Sequence, residues 1–362
     1  MSNVTTQDSG SSSALSLAPA VMIRRLALFG MLLCLTVVVL GAWVRLTDAG
    51  LGCPDWPGCY GHVTPAGAAQ NPDKIAAFDP GWDFDSGKAW REMIHRYAAT
   101  TLGFVIVLIT AIAIAYRNQG NGRERPASVG YCVALLATVV FQGGLGALTV
   151  WWLVKPLVVV LHLIGGLTTL SLLFWLWMTM RRRTGIVQPA PQATTVASLD
   201  GVRRAGIVAL CALAVQIILG GWTSSNYAAV SCPDFPQCQA QWWPADMDYA
   251  DAFVLWRGLD INYTGGVLEH PARVAIHFTH RLGAIVASLA LIWLAVAAIR
   301  RAPTTLVRNG GYWVLAALGL QILIGILMVV KAFPLPLATG HNAGAAVLLL
   351  AALALNRRLR EA

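Results

Sequence analysis

Charged side chains are scarce in this sequence. Aspartate, glutamate, lysine and arginine make up 12% of the 362 residues, whereas hydrophobic residues make up 57%. A typical soluble domain carries about 25% charged residues, so the composition excludes a water-soluble fold. The net charge of +9 does not indicate nucleic-acid binding, because the basic residues stand between long apolar runs and form no basic stripe.

The N-terminal region lacks the features of a cleaved signal peptide. Residues 1–20 are polar and serine-rich without a basic start, and the apolar run after Arg24 and Arg25 has no small-residue cleavage site. We therefore expect residues 1–22 to form a disordered cytoplasmic tail. The first apolar run is expected to be a retained membrane helix.

Long apolar runs predict an all-α, polytopic membrane protein. A membrane span needs about 20 apolar residues, and eight segments meet this requirement. They lie near residues 26–44, 93–116, 127–150, 157–180, 205–222, 274–299, 311–330 and 337–356. Lysine and arginine in short loops mark the cytoplasmic side, which predicts that both termini are cytoplasmic. Segments 45–92 and 223–273, which hold most of the acidic residues, then face outward.

The sequence repeats itself. GCPDWPGC at residues 52–59 matches SCPDFPQC at residues 231–238 with an offset of 179. The same offset relates Trp43 to Trp222, Gln142 to Gln321, Gly146 to Gly325 and His162 to His341. This pattern predicts two parallel four-helix bundle repeats related by a pseudo-twofold axis along the membrane normal. The halves are residues 23–183 and 205–362, joined by a cytoplasmic linker at 184–204.

Four histidines form two equivalent pairs, His95 with His162 and His280 with His341. Each is expected within the first two turns of a helix that starts on the outer side, so the members of a pair lie at similar depth. Facing helices about 8 to 10 Å apart could place a haem between two imidazoles, and histidine is a common haem ligand. Zinc is an alternative metal, but the pairs lack the third and fourth ligands at short spacing that zinc sites have, although His277 could join His280. Simple hydrogen bonding to neighbouring helices is another.

Glu92 precedes His95 by three residues and shares its helix face. His277 has the analogous position in the second half, which indicates that the two sites do different work. A solvated charge at the helix N-terminus is the alternative for Glu92. Arg96 and Arg281 follow the histidines and could bind haem propionates or extend to lipid headgroups.

Two cysteine pairs lie in the outward segments, Cys53 with Cys59 and Cys232 with Cys238. An oxidising compartment allows disulfides there. The position and the spacing favour disulfides over free or metal-bound thiols.

Taken together, these motifs resemble the haem A synthase family over nearly the whole chain from about Arg25 onward. The matching elements are GAWVRLTDAGLGCPDWPGC at 41–59, EMIHR at 92–96, VVVLHL at 158–163, THRLGA at 279–284 and TGHNAG at 339–344. The combination of an E-x-x-H-R motif, a C-P-D-W-P loop and duplicated histidines is specific.

The resemblance implies an oxidoreductase that converts a ring methyl of haem O to a formyl group by successive hydroxylations. It implies that His95 and His162 bracket the substrate haem O, that Glu92 is the catalytic carboxylate, and that His280 and His341 ligate a resident haem B. The outer cysteine pairs correspond to the family's disulfide.

The resemblance also implies a location and partners. The location is the bacterial inner membrane, with the haem sites toward the periplasm. The expected partners are the lipid bilayer and haem O; the farnesyltransferase haem O synthase and an electron acceptor are candidates, and the sequence leaves open whether the chain forms a homo-oligomer.

Two other functions share some of these features. A dihaem b-type cytochrome for electron transfer would use the same histidine pairs, but it needs no carboxylate beside one haem. A secondary transporter would also have duplicated halves and intramembrane ionisable residues, but these usually lie near the midplane of the bilayer. The histidines here are predicted near one face.

Overall fold

The computed structural model describes residues 9–78, 84–118, 127–185 and 199–362. Within these ranges the chain is mostly α-helical, and its two longest segments without α-helix, 47–64 and 226–248, carry the two cysteine pairs. The helices are α1 (Ser9–Leu46), α2 (Pro65–Ala69), α3 (Pro72–Phe78), α4 (Ser86–Ala115), α5 (Val129–Trp151), α6 (Pro156–Arg183), α7 (Asp200–Ser225), α8 (Tyr249–Ala252), α9 (His270–Arg300), α10 (Thr305–Val330) and α11 (Leu335–Glu361).

Eight of these helices are long and apolar enough to cross a membrane, namely α1, α4, α5, α6, α7, α9, α10 and α11. Each predicted span overlaps one of them over most of its length, although some helices begin earlier, as the apolar span of α1 does at Ala18, so the all-α membrane fold is confirmed. Large apolar side chains such as Phe104, Phe141 and Trp313 are exposed on the outside of the bundle. Extensive exposed apolar surface is what a lipid environment requires.

The N-terminal region differs from the prediction. Residues 1–8 lie outside the described residues, but α1 already begins at Ser9, so residues 9–22 of the predicted tail are helical. Extending an existing helix adds one hydrogen bond per residue without a new nucleation step, which the local composition did not reveal. In the predicted linker, residues 186–198 lie outside the described residues, and α7 begins at Asp200.

Helices α4 and α9 begin earlier than hydropathy indicated. Asp85 caps α4 by accepting a hydrogen bond from the Lys88 amide at 3.0 Å, and this bond holds the pKa of the Asp85 carboxyl below its usual value. A proline occupies the first turn of α9. His95 and His280 consequently lie about three turns into their helices, so their predicted position within the first two turns is wrong. His162 and His341 do lie in the second turn of α6 and α11.

The apolar core has two main parts. One is formed by residues of α1, α4, α5 and α6, with Ala346 added from α11. The other is formed by α7, α9, α10 and α11 with the adjacent Leu199. Contacts of α1 with α11 and of α6 with α7 join the two groups of helices.

Several contacts join residues that differ by the repeat offset of 179. Arg45 donates to the backbone oxygen of Ser224 at 2.6 Å, Tyr227 donates to Asp48 at 2.6 Å, and Arg182 pairs with Glu361 at 2.6 Å. Equivalent positions meet in this way where they lie next to a twofold axis. These contacts support the two-repeat interpretation, which stays a prediction.

Candidate functional site

The histidines that the sequence paired lie together in the structure. The imidazole rings of His95 on α4 and His162 on α6 have centroids 6.5 Å apart. His280 on α9 and His341 on α11 lie close enough to interact electrostatically. Both members of a pair lie on helices of the same half, so each half carries one pair.

The first pair has the spacing and the chemistry to hold one metal ion between two rings. A bond from a metal to an imidazole nitrogen is about 2 Å long, so the 6.5 Å separation of the centroids leaves room for two such bonds and the radii of the rings. The Nδ1 atoms of His95 and His162 are buried without a hydrogen-bond partner. Within the described residues, no group of three or more His, Cys, Asp or Glu side chains could hold a metal, which gives zinc no support.

A glycine on the adjacent helix lies against each histidine ring. A Cβ atom added at these glycines would come within 3.0 to 3.4 Å of the Cε1 atom of the ring. The pairs are Gly41 with His95, Gly146 with His162, Gly220 with His280 and Gly325 with His341. The missing side chain therefore lets neighbouring helices approach closely enough to fix the rings.

Replacing Gly220 by valine should displace the His280 ring. An added Cβ lies 3.1 Å from its Cε1 atom, and overpacking of this kind costs about 1–3 kcal/mol. We expect purified G220V to lose most of the haem that the second pair is predicted to bind, measured by absorbance per protein. Gly319→Val is the matched control, because no atom lies within 4 Å of a Cβ at Gly319. Equal haem content in the two variants would contradict the proposed packing role.

Glutamines on neighbouring helices bind three of the histidines. The Nε2 atoms of Gln216 and Gln321 donate to the backbone oxygens of His280 and His341, both at 3.0 Å. Gln142 makes the same bond to His162. In the sequence, Gln142 and Gln321 were identified only as repeat markers, and Gln216 was not identified. A polar residue within an apolar span was the signal that could have identified all three.

Glu92 is buried, and both of its carboxylate oxygens have a hydrogen-bond donor. Its Oε2 atom accepts a hydrogen bond from the Cys53 amide at 3.0 Å, and its Oε1 atom pairs with Arg96 at 2.5 Å. Only 4% of its surface is exposed, so it is not the solvated helix-end charge that was the alternative. Donors on both oxygens fix the position of the carboxyl group.

Each half has a disulfide hairpin, the first at residues 52–62 and the second at 231–241. The bonds Cys53–Cys59 and Cys232–Cys238 are both present, which confirms the predicted pairing. Asp55 closes the first hairpin by accepting from the amides of Tyr60 and Gly61. Asp234 plays the same part in the second hairpin by accepting from Gln239 and Ala240. The sequence analysis missed this role of the aspartates.

The first hairpin lies directly against α4. A Cβ atom at Gly52 would come 2.7 Å from backbone atoms of Lys88 and Ala89, so this close approach requires glycine. Arg96 donates to the backbone oxygens of Asp55 and Gly58 as well as to Glu92. The hairpin, Arg96 and Glu92 thus form one connected unit.

The second half differs at the position of Glu92. His277 is buried there, and the Nε atom of Arg281 donates to its Nε2 atom at 3.3 Å. Arg281 also donates to the backbone oxygens of Cys232, Asp234 and Gln237. The two arginines therefore anchor the hairpins in this structure, and their contact with propionates stays a prediction.

The fold and the site define a class: a helical membrane protein with two histidine pairs, each next to a disulfide hairpin, and a buried carboxylate beside one pair only. The sequence matches the family described as cytochrome oxidase assembly protein over residues 24–353. The chain belongs to that family.

The chain is similar to several haem A synthases over most of its length. It is 38% identical to that of Shewanella oneidensis, over 89% of this chain and 92% of the relative. It is 27% identical to that of a Chelativorans species, over 86% and 84% of the two chains. It is 28% identical to that of Rhizorhabdus wittichii, over 88% of each chain.

Proposed function

We propose that this protein is a haem A synthase that oxidises a ring methyl of haem O to a formyl group. The observation that carries the proposal is the buried Glu92, bound by the Cys53 amide and by Arg96 and one turn from a histidine pair spaced to hold a single metal ion. The family membership supports it. A protein that only transfers electrons has no need of this carboxylate.

The two halves have different tasks in this proposal. His95 and His162 in residues 23–183 hold the substrate haem O. His280 and His341 in residues 205–362 hold a resident haem B, which supplies electron transfer when bound. The different residues at positions 92 and 277, a carboxylate and an imidazole, support this division.

Glu92 would act on the methyl carbon through its charge. Successive hydroxylations give a geminal diol, which loses water to form the aldehyde, and positive charge develops on the carbon as it is oxidised. A fixed anion stabilises such charge. The hydrogen bonds from Cys53 and Arg96 support this role, because they hold the carboxyl group in place with a donor on each oxygen.

The reaction also requires a supply of haem O and a destination for electrons. We infer that a farnesyltransferase supplies the substrate. Each hydroxylation takes two electrons from the methyl carbon: with water as the oxygen source a separate electron acceptor takes them, and with dioxygen as the oxidant dioxygen takes them together with two electrons from a donor. Expression in a host that makes haem O but not haem A tests the proposed function. Haem A in extracted membranes is the expected result, and haem O unchanged at normal expression of the protein would contradict it.

We further propose that both hairpins face the periplasm of a bacterial cell and that both termini are cytoplasmic. The arginines at the ends of α6, α9 and α11 support this orientation. Lys74 and Asp246 are exposed beside the first and second hairpin, and Asn309 is exposed at the opposite end of the bundle.

Single cysteines at these three positions test the orientation in whole cells. In a C211S background, which removes the exposed free thiol, a membrane-impermeant thiol reagent should label K74C and D246C. It should label N309C only after the cells are lysed. Protection of both hairpin positions, or labelling of N309C in intact cells, would overturn the proposed topology.

A further inference from the structure

The four histidines are not held equally by their neighbours. Three of them sit in the same two-part arrangement, which we call the glutamine lock. A glutamine on the adjacent helix donates to the backbone oxygen of the histidine, and a glycine follows the histidine by three residues. The three locks are Gln142 with His162 and Gly165, Gln216 with His280 and Gly283, and Gln321 with His341 and Gly344.

The glycine is a necessary part of each lock. A Cβ atom at Gly165, Gly283 or Gly344 would overlap the side-chain oxygen of the glutamine. The amide can therefore reach the backbone of the histidine only where the facing helix has no side chain at that point. Glutamine and glycine act as a matched pair across the helix interface.

His95 lacks both parts of the lock. Val37 occupies the position on α1 that corresponds to Gln216 at the offset of 179, and Ala98 occupies the position on α4 that corresponds to Gly283 at the offset of 185. Valine has no amide to donate, and the methyl group of Ala98 stands where the lock requires open space. The two differences occur together, at the one histidine that shares a helix face with Glu92.

The rings differ in their contacts with these glutamines. The Nδ1 atoms of His280 and His341 lie 3.0 and 3.3 Å from a glutamine Nε2 atom. His162 has its backbone oxygen bound by Gln142, although its Nδ1 atom has no partner. For His95 the Nδ1 atom also has no partner, and its ring hydrogen-bonds with the backbone of Val37. His95 is therefore the one histidine of the four that no glutamine holds.

The helix around His95 is nevertheless fixed. Glu92 and Arg96, three residues before it and one after, are tied to the first hairpin. Movement of the His95 ring would therefore break its contact with the Val37 backbone and would leave α4 and the carboxylate in place.

We infer that His95 is the exchangeable ligand of the first site: its ring withdraws to admit a small neutral molecule such as dioxygen, while His162, His280 and His341 stay in place. The inference rests on the proposed function. In the exchange, the imidazole releases its bond to the metal of the substrate and the small molecule takes that position, without transfer of electrons. A site with histidine on both sides has no place for an oxidant until one of them leaves.

Carbon monoxide is a suitable probe, since it binds reduced haem only where an axial position opens. In purified wild-type protein with both sites filled, we expect one of the two haem equivalents to bind carbon monoxide. The double variant V37Q/A98G supplies His95 with a lock and should bind carbon monoxide about tenfold more slowly, which is the factor expected from one added hydrogen bond. Haem content per protein, measured on the same samples, confirms that the sites are filled.

The matched control removes a lock from the other half. In Q216V/G283A, His280 has the neighbours that His95 has in the wild type, and the second haem should become reactive toward carbon monoxide. No binding by wild-type protein, or unchanged rates in both double variants at full haem content, would overturn the inference. If one double variant does not fold, the rate of carbon monoxide binding by the other still tests the inference. A failure of the proposed function has a different result: the protein would then bind no haem O or form no haem A.

Discussion

Replacing Glu92 by glutamine is expected to lower the rate of haem A formation by about two to three orders of magnitude, while haem B remains bound. Glutamine has nearly the same size and can still accept the hydrogen bond from the Cys53 amide. It has no charge, so it cannot stabilise positive charge on the methyl carbon. The measurement is the ratio of haem A to haem O in extracted pigment, with haem B as an internal standard.

The substitution also leaves Arg96 without its ionic partner, and the loss of one member of a buried pair can destabilise a protein. Arg96 keeps its bonds to the backbone oxygens of Asp55 and Gly58, so we expect the fold to survive. Glu269→Gln, an exposed position at the start of α9, is the control and should have wild-type activity. Full conversion of haem O by E92Q would contradict a catalytic role for Glu92.

Removing a histidine from one half should empty that half alone. His280→Ala leaves the second site with a single imidazole, and we expect it to lose the haem B equivalent while still binding haem O. His162→Ala should have the opposite result, because its ring and that of His95 form the first site. Pigment extraction and quantification of each haem per protein distinguish the two.

The control for this pair of variants is His270→Ala, which removes an exposed histidine at the first residue of α9. It should retain both haems. If H280A and H162A lost the same haem, or each lost both, the assignment of one haem to each half would be wrong.

The membrane helices could be predicted because hydropathy is a local property. Each predicted span lies on one observed helix, and the disulfides followed from two short motifs. The starts of α4 and α9 could not be predicted from hydropathy, since they depend on the Asp85 cap and on a first-turn proline. Because the helices begin earlier than predicted, His95 and His280 lie deeper in them than the sequence indicated.

The pairing of the histidines could be predicted because the duplication relates one pair to the other. The glutamine lock could not, because it joins residues on different helices through a bond that no local pattern encodes. Gln216 and Gly283 are 67 positions apart in the chain, and only their contact across α7 and α9 gives either a role. The link from Glu92 to the first hairpin was missed for the same reason.

Conversion of haem O by the purified protein tests the central claim most directly. Protein that already holds haem B would be incubated with haem O in lipid nanodiscs, in air with a reductant and separately with an artificial electron acceptor. Extracted haems would be separated by chromatography over time. The account predicts that haem O decreases, a formylated haem appears and haem B stays constant. Recovery of all haem O unchanged under both conditions, with haem B still reduced and reoxidised normally, would contradict it and indicate an electron-transfer cytochrome.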